Sequence, residues 1–259
     1  MTAVELPTTA PPRREAAVPL TRLISVEGRK QLDTRAGRWL LITMAVVTAI
    51  VMAVLLFVNG GQHSFRELLM ATVTPQAVLL PIVGILAVTS EWSQRAALVT
   101  FTLEPRRGRV AAAKTISALL VGVTALAAAV ALAALAHLGS IAFRGAQAGW
   151  SVPTPVLAGF ALVLLLGVAQ GVGFGMLLLN TPAAIVAYLV LPTVWSVLGG
   201  MVASLKTAAS WLDLTTTMQP LLQGSMTSNQ WLRLGTATAV WVLLPLAAGI
   251  WRIIRAEVK

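Results

Sequence analysis

The longest uncharged stretch of the chain, residues 151–205, most limits what the protein can fold into. It contains no Asp, Glu, Lys or Arg. About 20 apolar residues already cross the ~30 Å hydrocarbon layer of a membrane. The stretch is therefore long enough for two crossings, and Asn180-Thr181-Pro182 is its turn signal. The sequence predicts a hairpin of two membrane spans, at residues 156–179 and 183–203, joined by a tight turn.

The remaining apolar runs predict four further spans. They cover residues 39–58, 71–90, 115–138 and 234–250. The chain is 57% hydrophobic and only 11% charged, whereas soluble proteins are about 45–50% apolar and about 25% charged. The predicted fold class is an all-α membrane protein with six transmembrane helices in residues 39–256. Pro75 and Pro81 lie inside the second span and predict that it is kinked or broken.

The distribution of basic residues predicts the orientation. Of 19 Lys and Arg residues, all but Arg66, Arg144, Lys206 and Arg233 share one side if both termini and residues 91–114 lie there. The positive-inside rule makes that side cytoplasmic. We therefore expect both termini in the cytoplasm, a flexible cytoplasmic tail at residues 1–18, and an outer loop at residues 206–233.

Residues 19–38 precede the first span and predict an amphipathic helix on the membrane surface. Leu20, Leu23 and Ile24 fall on one helical face, as in helices that lie in the membrane interface. The alternative is a charged juxtamembrane segment that only sets orientation. The candidate partner contacts of this segment are Arg22, Glu27, Arg29 and Lys30.

Residues 91–114 form a long polar interruption between two spans. A simple re-entry loop needs only a handful of residues, so the extra length favours a cytoplasmic segment that receives force from a partner protein. A basic loop that only sets topology is the alternative. The candidate coupling residues are Glu91, Arg95, Glu104, Arg106, Arg107, Arg109 and Lys114.

Residues 108–115, GRVAAAKT, nearly match a phosphate-binding loop. Ala113 stands where the second glycine of that motif is required, and no buried strand precedes the segment. We expect no nucleotide site here. No carboxylate lies inside a predicted span, which argues against a proton relay or a hydrolase with buried acids. Without cysteines, a Ser/His/Asp set or clustered histidines, we expect neither an enzyme nor a metal site.

Small and polar residues inside the spans have two interpretations each. Gly167, Gly171 and Gly175 follow the G-x-x-x-G spacing, which lets helices pack closely within one chain or across a dimer. Thr72 and Gln76 in the second span either form helix–helix hydrogen bonds or contact a ligand.

A surface helix, six spans and the segment SEW…TLEPRRGRVAAAK together resemble the permease subunits of ABC-2 type exporters, particularly the small actinobacterial kind. The resemblance covers residues 19–256. It implies a half-transporter in a bacterial plasma membrane that pairs with itself or a sister permease. Two separate ATPase subunits would hold ATP-Mg, so the chain itself needs no cofactor.

The resemblance also implies roles for particular segments. Coupling to the ATPase falls on residues 91–114 and the connecting helix on residues 19–38. The substrate path involves Thr72, Gln76, Trp195 and Ser196, and short outer helices fall within residues 207–222. The uncharged spans favour a hydrophobic or amphiphilic cargo, and the resemblance implies that this cargo leaves the cytoplasm. Nucleic acid is not an expected partner.

A second function class fits the same topology. The chain would then be a membrane scaffold or sensor that transports nothing and recruits a cytoplasmic partner through its basic loop. Co-purification of an ATPase of about 25–35 kDa, a usual domain size, would favour the exporter. A membrane-embedded enzyme is disfavoured because catalytic acids, histidines and cysteines are missing.

Overall fold

The computed structural model describes residues 18–57, 63–94, 96–147 and 149–256. The predicted tail (except Val18), the candidate coupling residue Arg95 and the glycines at positions 60 and 61 lie outside them. All regular structure in the described residues is helical. The helices are α1 Leu20–Asp33, α2 Arg35–Phe57, α3 Phe65–Ser93, α4 Ala97–Leu103, α5 Arg107–Arg144, α6 Thr154–Leu178, α7 Thr181–Met201, α8 Lys206–Leu212, α9 Leu214–Gln223, α10 Ser228–Thr238 and α11 Leu244–Arg255.

Six helices in the described residues are long and apolar enough to cross a membrane. They are α2, α3, α5, α6, α7 and the continuous helix Ser228–Arg255, in which a π-helical turn at Ala239–Leu243 joins α10 to α11. The predicted all-α fold with six spans is therefore confirmed, and the chain is a multi-pass membrane protein.

Helix α6 lies at the centre of the bundle, where it contacts α3, α5, α7, α9 and α11. Its three predicted packing glycines all face α3. A Cβ atom on Gly171 would lie 2.0 Å from the Pro81 carbonyl oxygen, and one on Gly175 would lie 3.2 Å from Ile85 Cα. A Cβ atom on Gly167 would lie 3.2 Å from the Pro81 ring and 3.8 Å from the Ala77 carbonyl oxygen. The missing side chains thus let the α3 and α6 backbones touch.

The opposite face of α6 receives α11 in the same way. A Cβ atom on Gly249 of α11 would lie 2.5 Å from Met176 Cβ, and one on Gly173 would lie 2.9 Å from the Leu246 nitrogen. Two glycine faces on one helix explain why α6 can be enclosed by neighbours on both sides.

Helix α3 is one continuous helix through Pro75 and Pro81, so of the two predicted outcomes, a kink or a break, the break does not occur. It also begins six residues before the predicted span. Ser64 accepts a hydrogen bond from the Glu67 nitrogen, and the Glu67 carboxylate accepts one from the Ser64 nitrogen. This capping box satisfies two backbone donors at the helix start.

Helix α5 also begins earlier than predicted, at Arg107 instead of residue 115. Residues 107–114 are helix formers, rich in Ala, Arg and Lys, so the helix extends beyond the apolar run. The segment 91–114 is consequently helical over most of its length, with α4 between the end of α3 and the start of α5. The polar segment 206–233 is likewise mostly helical, as α8, α9 and the start of α10.

Candidate functional site

Four charged side chains from three helices form a closed ring, which we call the ion ring. Lys30 Nζ of α1 lies 2.8 Å from Glu27 Oε1 and 2.6 Å from Glu91 Oε1 of α3. Lys114 Nζ of α5 lies 2.6 Å from Glu27 Oε2 and 3.1 Å from Glu91 Oε2. Each lysine bridges both glutamates, so the two positive and two negative charges balance and α1, α3 and α5 are joined at one point.

The ion ring is largely removed from water. Lys114 is only 3% exposed, while the side chain of Lys30 keeps 40% of its surface exposed. Burial disfavours the charged form of Lys30, but its hydrogen bonds to Glu27 and Glu91 outweigh that effect and raise the pKa of Lys30 above its ordinary value. Lys30 is therefore charged throughout the neutral pH range.

Helix α1 is attached to the bundle by polar side chains. Its buried residues are Glu27 and Gln31, and Gln31 Nε2 donates to Ser117 Oγ of α5 at 2.7 Å. Large apolar side chains of the same helix remain exposed, among them Val26 and Leu32. The inward face of this helix is thus its polar one, which the apolar pattern of residues 20–24 did not indicate.

A groove of about 670 Å³ lies beside the ion ring, between α1 and α4; we call it the α1–α4 groove. Its apolar walls come from Leu23, Val26, Val99, Leu103 and Val110. Leu103 and Val99 are 76% and 61% exposed. An open apolar groove with buried charges at its base has the form of a docking site for a helix.

Side chains from the predicted coupling segment hold α4 in place. Thr100 Oγ1 donates to Glu91 Oε1 at 3.2 Å. Arg109 pairs with Glu104 at 3.2 Å and also donates to the Val18 carbonyl. These contacts place Glu104, Glu91 and Arg109 inside the chain's own packing.

Arg107 connects the start of α5 to the end of α11. Its Nη1 donates to the carbonyls of Ile253 (3.2 Å), Ile254 (3.4 Å) and Ala256, and its guanidinium lies 5.0 Å from the centre of the Phe101 ring. Carbonyls at a helix end lack partners within the helix, and this arginine supplies one.

Three of the predicted partner contacts are left open to solvent or a partner. The side chains of Arg22, Arg29 and Arg106 are exposed and form no ion pair with the described residues. Of these three, Arg22 lines the α1–α4 groove.

The residues of the predicted substrate path lie on two helices, α3 and α7. Thr72 Oγ1 of α3 donates to Leu69 O at 2.8 Å and to Ala129 O of α5 at 3.4 Å, which is a helix–helix contact. Gln76 is buried, and its Oε1 has no partner among the described residues. On α7, the Trp195 Nε1 atom is also buried and has no hydrogen-bond partner among the described residues. Ser196 of the same helix donates to Asp213 at 2.8 Å.

Asp213 organises the segment between α7 and α10. Its carboxylate accepts hydrogen bonds from Ser196 Oγ at 2.8 Å, Thr216 Oγ1 at 2.8 Å and the Thr216 nitrogen at 3.1 Å, the last as the N-cap of α9. Asp213→Ala is expected to lower the free energy of unfolding by about 2 kcal/mol, because a cap and a buried hydrogen-bond centre are lost together. Thermal unfolding in detergent measures this.

The control for Asp213 is Ser210→Ala on the neighbouring α8. Among the residues that the structure describes, Ser210 Oγ bonds only to the Thr207 carbonyl of its own helix, so we expect a change within about 0.5 kcal/mol. Equal losses for the two variants would contradict the organising role of Asp213.

Residues 108–115, the near-match to a phosphate loop, lie inside α5. Their backbone N–H groups are wound into a helix, and Lys114 belongs to the ion ring. No known protein-family model matches the chain, and no curated protein is significantly similar to it in sequence.

Proposed function

We propose that the chain is the permease subunit of an ATP-driven exporter of the ABC-2 type. It pairs with an identical or sister permease in a bacterial plasma membrane, and separate ATPase subunits hold ATP-Mg on its cytoplasmic side. The observation that carries the proposal is the α1–α4 groove, whose base is formed by the ion ring. The sequence resemblance supplies the identity of the partner.

The ion ring gives the groove a rigid connection to the bundle. A force on α1 or α4 reaches α3 and α5 through short ion pairs, and it reaches α11 through Arg107. Packed helices joined in this way move as rigid bodies, which is how a remote binding event produces alternating access. Glu91, a buried carboxylate near the end of α3, is paired with Lys30 and Lys114 and belongs to the ion ring. The energy source that we propose is therefore ATP hydrolysis in the partner.

The cargo we propose is hydrophobic or amphiphilic. The interior of the bundle offers uncharged polar groups, such as Gln76 and the Trp195 indole N–H, among apolar side chains. Such groups orient a ligand through hydrogen bonds without the desolvation cost of a buried charge.

Docking in the α1–α4 groove can be tested with one pair of variants on α4. Leu103→Asp places a charge on the apolar wall and is expected to reduce recovery of the ATPase at least tenfold in mild-detergent co-purification, because the carboxylate loses its water on docking. Leu98 is 55% exposed on the same helix but does not line the groove. Leu98→Asp is therefore the matched control and should leave recovery unchanged.

Equal recovery with both variants would rule out the groove as the docking site. If the ATPase co-purifies but proteoliposomes containing both subunits show no ATP-dependent movement of an amphiphilic dye, the scaffold or sensor role would be favoured instead. Loss of dye movement with Leu103→Asp alone is the result expected for the exporter.

A further inference from the structure

A second cleft, of about 460 Å³, lies where α3, α6 and α11 end together. We call it the α11 cleft. Its walls include Trp92 from α3, Leu179 after α6, and Trp251, Arg252 and Arg255 from α11. Its described lining residues thus supply two guanidinium groups and no carboxylate. A cleft with this composition attracts an anion.

Both arginines have hydrogen-bond donors to spare. The Arg255 guanidinium lies 4.7 Å from the centre of the Trp251 ring and forms no hydrogen bond with the described residues. A guanidinium stacked on an aromatic face keeps its N–H edge free, and that edge matches phosphate oxygens. Arg252 donates from Nη1 to the Leu177 carbonyl, which leaves its remaining N–H groups for a ligand.

The α11 cleft stands at the end of an exposed apolar stripe. The stripe runs along the last membrane-spanning helix at helical spacing and consists of Val240, Leu243, Leu244, Trp251 and Ile254, each at least 40% exposed. Such a stripe faces acyl chains, and tryptophans concentrate where acyl chains meet headgroups. Arg252 and Arg255 therefore lie at the depth of the lipid phosphates.

We propose that the α11 cleft binds the headgroup of an anionic phospholipid, whose acyl chains lie along the stripe. The continuity between cleft and stripe favours a lipid over free phosphate, because a free ion gains nothing from the apolar surface. A zwitterionic headgroup carries no net charge and is attracted less by the two arginines. This site is independent of the proposed export function, since it requires neither the ATPase nor the α1–α4 groove.

Native mass spectrometry of the full chain, released from detergent with added lipid, tests the proposal. We expect a higher affinity for phosphatidylglycerol than for phosphatidylcholine. Arg252→Gln/Arg255→Gln should weaken phosphatidylglycerol binding about thirtyfold, at about a factor of five for each arginine. Binding of phosphatidylcholine should change less than about twofold, since it has little of this electrostatic attraction.

Two further variants separate lipid recognition from general effects. Arg255→Gln alone removes no hydrogen bond to a described residue, so it should fold normally and weaken phosphatidylglycerol binding about fivefold. Arg144→Gln is the matched control, because Arg144 is also exposed and stacked, 5.3 Å from the centre of the Phe57 ring, at the opposite end of α5 from Arg107. It should leave the preference between the two lipids at the α11 cleft unchanged.

The proposal is overturned if Arg255→Gln and Arg144→Gln weaken the binding of phosphatidylglycerol equally. It is also overturned if Arg255→Gln leaves the preference for phosphatidylglycerol over phosphatidylcholine intact. Displacement of phosphatidylglycerol by millimolar inorganic phosphate would assign the cleft to the free ion and also overturn it. None of these outcomes bears on ATPase docking, which the Leu103 and Leu98 variants test separately.

Discussion

Lys114→Met is expected to lower the free energy of unfolding by about 3–5 kcal/mol, because it leaves a buried net negative charge in the ion ring. Lys114 is 3% exposed and contacts Glu27 and Glu91, at 2.6 Å and 3.1 Å. With the lysine gone, only Lys30 balances two carboxylates. Unfolding of the purified chain by a denaturing detergent, followed by circular dichroism, measures the loss.

A double variant distinguishes charge imbalance from lost packing. Lys114→Met/Glu27→Gln keeps the 2.6 Å pair between Lys30 and Glu91 and restores neutrality, so it should recover about half of the lost stability or more. Equal instability of the single and double variants would mean that packing of the Lys114 stem dominates. A loss below about 1 kcal/mol for Lys114→Met, as at a surface pair, would show that water solvates the ring.

Gly171→Ala is expected to cost about 3 kcal/mol, near the upper end for an overpacked core. The added Cβ would lie 2.0 Å from the Pro81 carbonyl oxygen. Because that neighbour is backbone, α3 and α6 must separate to accommodate the methyl group. The same detergent-induced unfolding measures the loss, and a shift of α3 should also appear as faster proteolysis of the α4 segment.

Substitutions at two other glycines serve as controls for Gly171→Ala. A Cβ atom on Gly200 of α7 would meet nothing within 4 Å, whereas one on Gly167 would lie 3.2 Å from the Pro81 ring and 3.8 Å from the Ala77 carbonyl oxygen. Gly200→Ala should be neutral or slightly stabilising, because alanine restricts the unfolded chain and favours the helix. The loss of unfolding free energy for Gly167→Ala should lie between those for Gly200→Ala and Gly171→Ala. If Gly200→Ala were as harmful as Gly171→Ala, close packing against Pro81 could not explain the effect.

The spans were predictable because membrane insertion depends on a property that a single sequence displays, the length of an apolar run. Their ends were predicted less well. A span predicted from hydropathy ends at the first charged residue. Helix α5 nevertheless includes Arg107 and Lys114, because the alanines between them favour a helix. The early start of α3 did have a visible signal, the Ser64 and Glu67 capping box, as did that of α10, where Thr227 and Gln230 form another.

The ion ring was not predictable from the pattern of residues. The sequence places Glu91 and Lys114 in the polar segment between two spans and Glu27 in the surface helix, and it predicts all three as contacts for a partner. Lys30 and Glu91 are 61 residues apart and Glu27 and Lys114 are 87 residues apart, while Glu91 and Lys114 lie on either side of α4. No local rule matches charges over such distances. Only the packing of α1 against α3 and α5 shows that these charges satisfy one another.

The length of α5 has a mechanical consequence. Its 38 residues rise about 57 Å at 1.5 Å per residue, nearly twice the ~30 Å of hydrocarbon it crosses. The helix is therefore a lever that carries the ion ring near one end, at Lys114, and Arg144 at the other end. A tilt of about 5° at one end displaces the other by about 5 Å, close to one helical turn. Small movements of α1 would thus be magnified on the opposite side of the membrane.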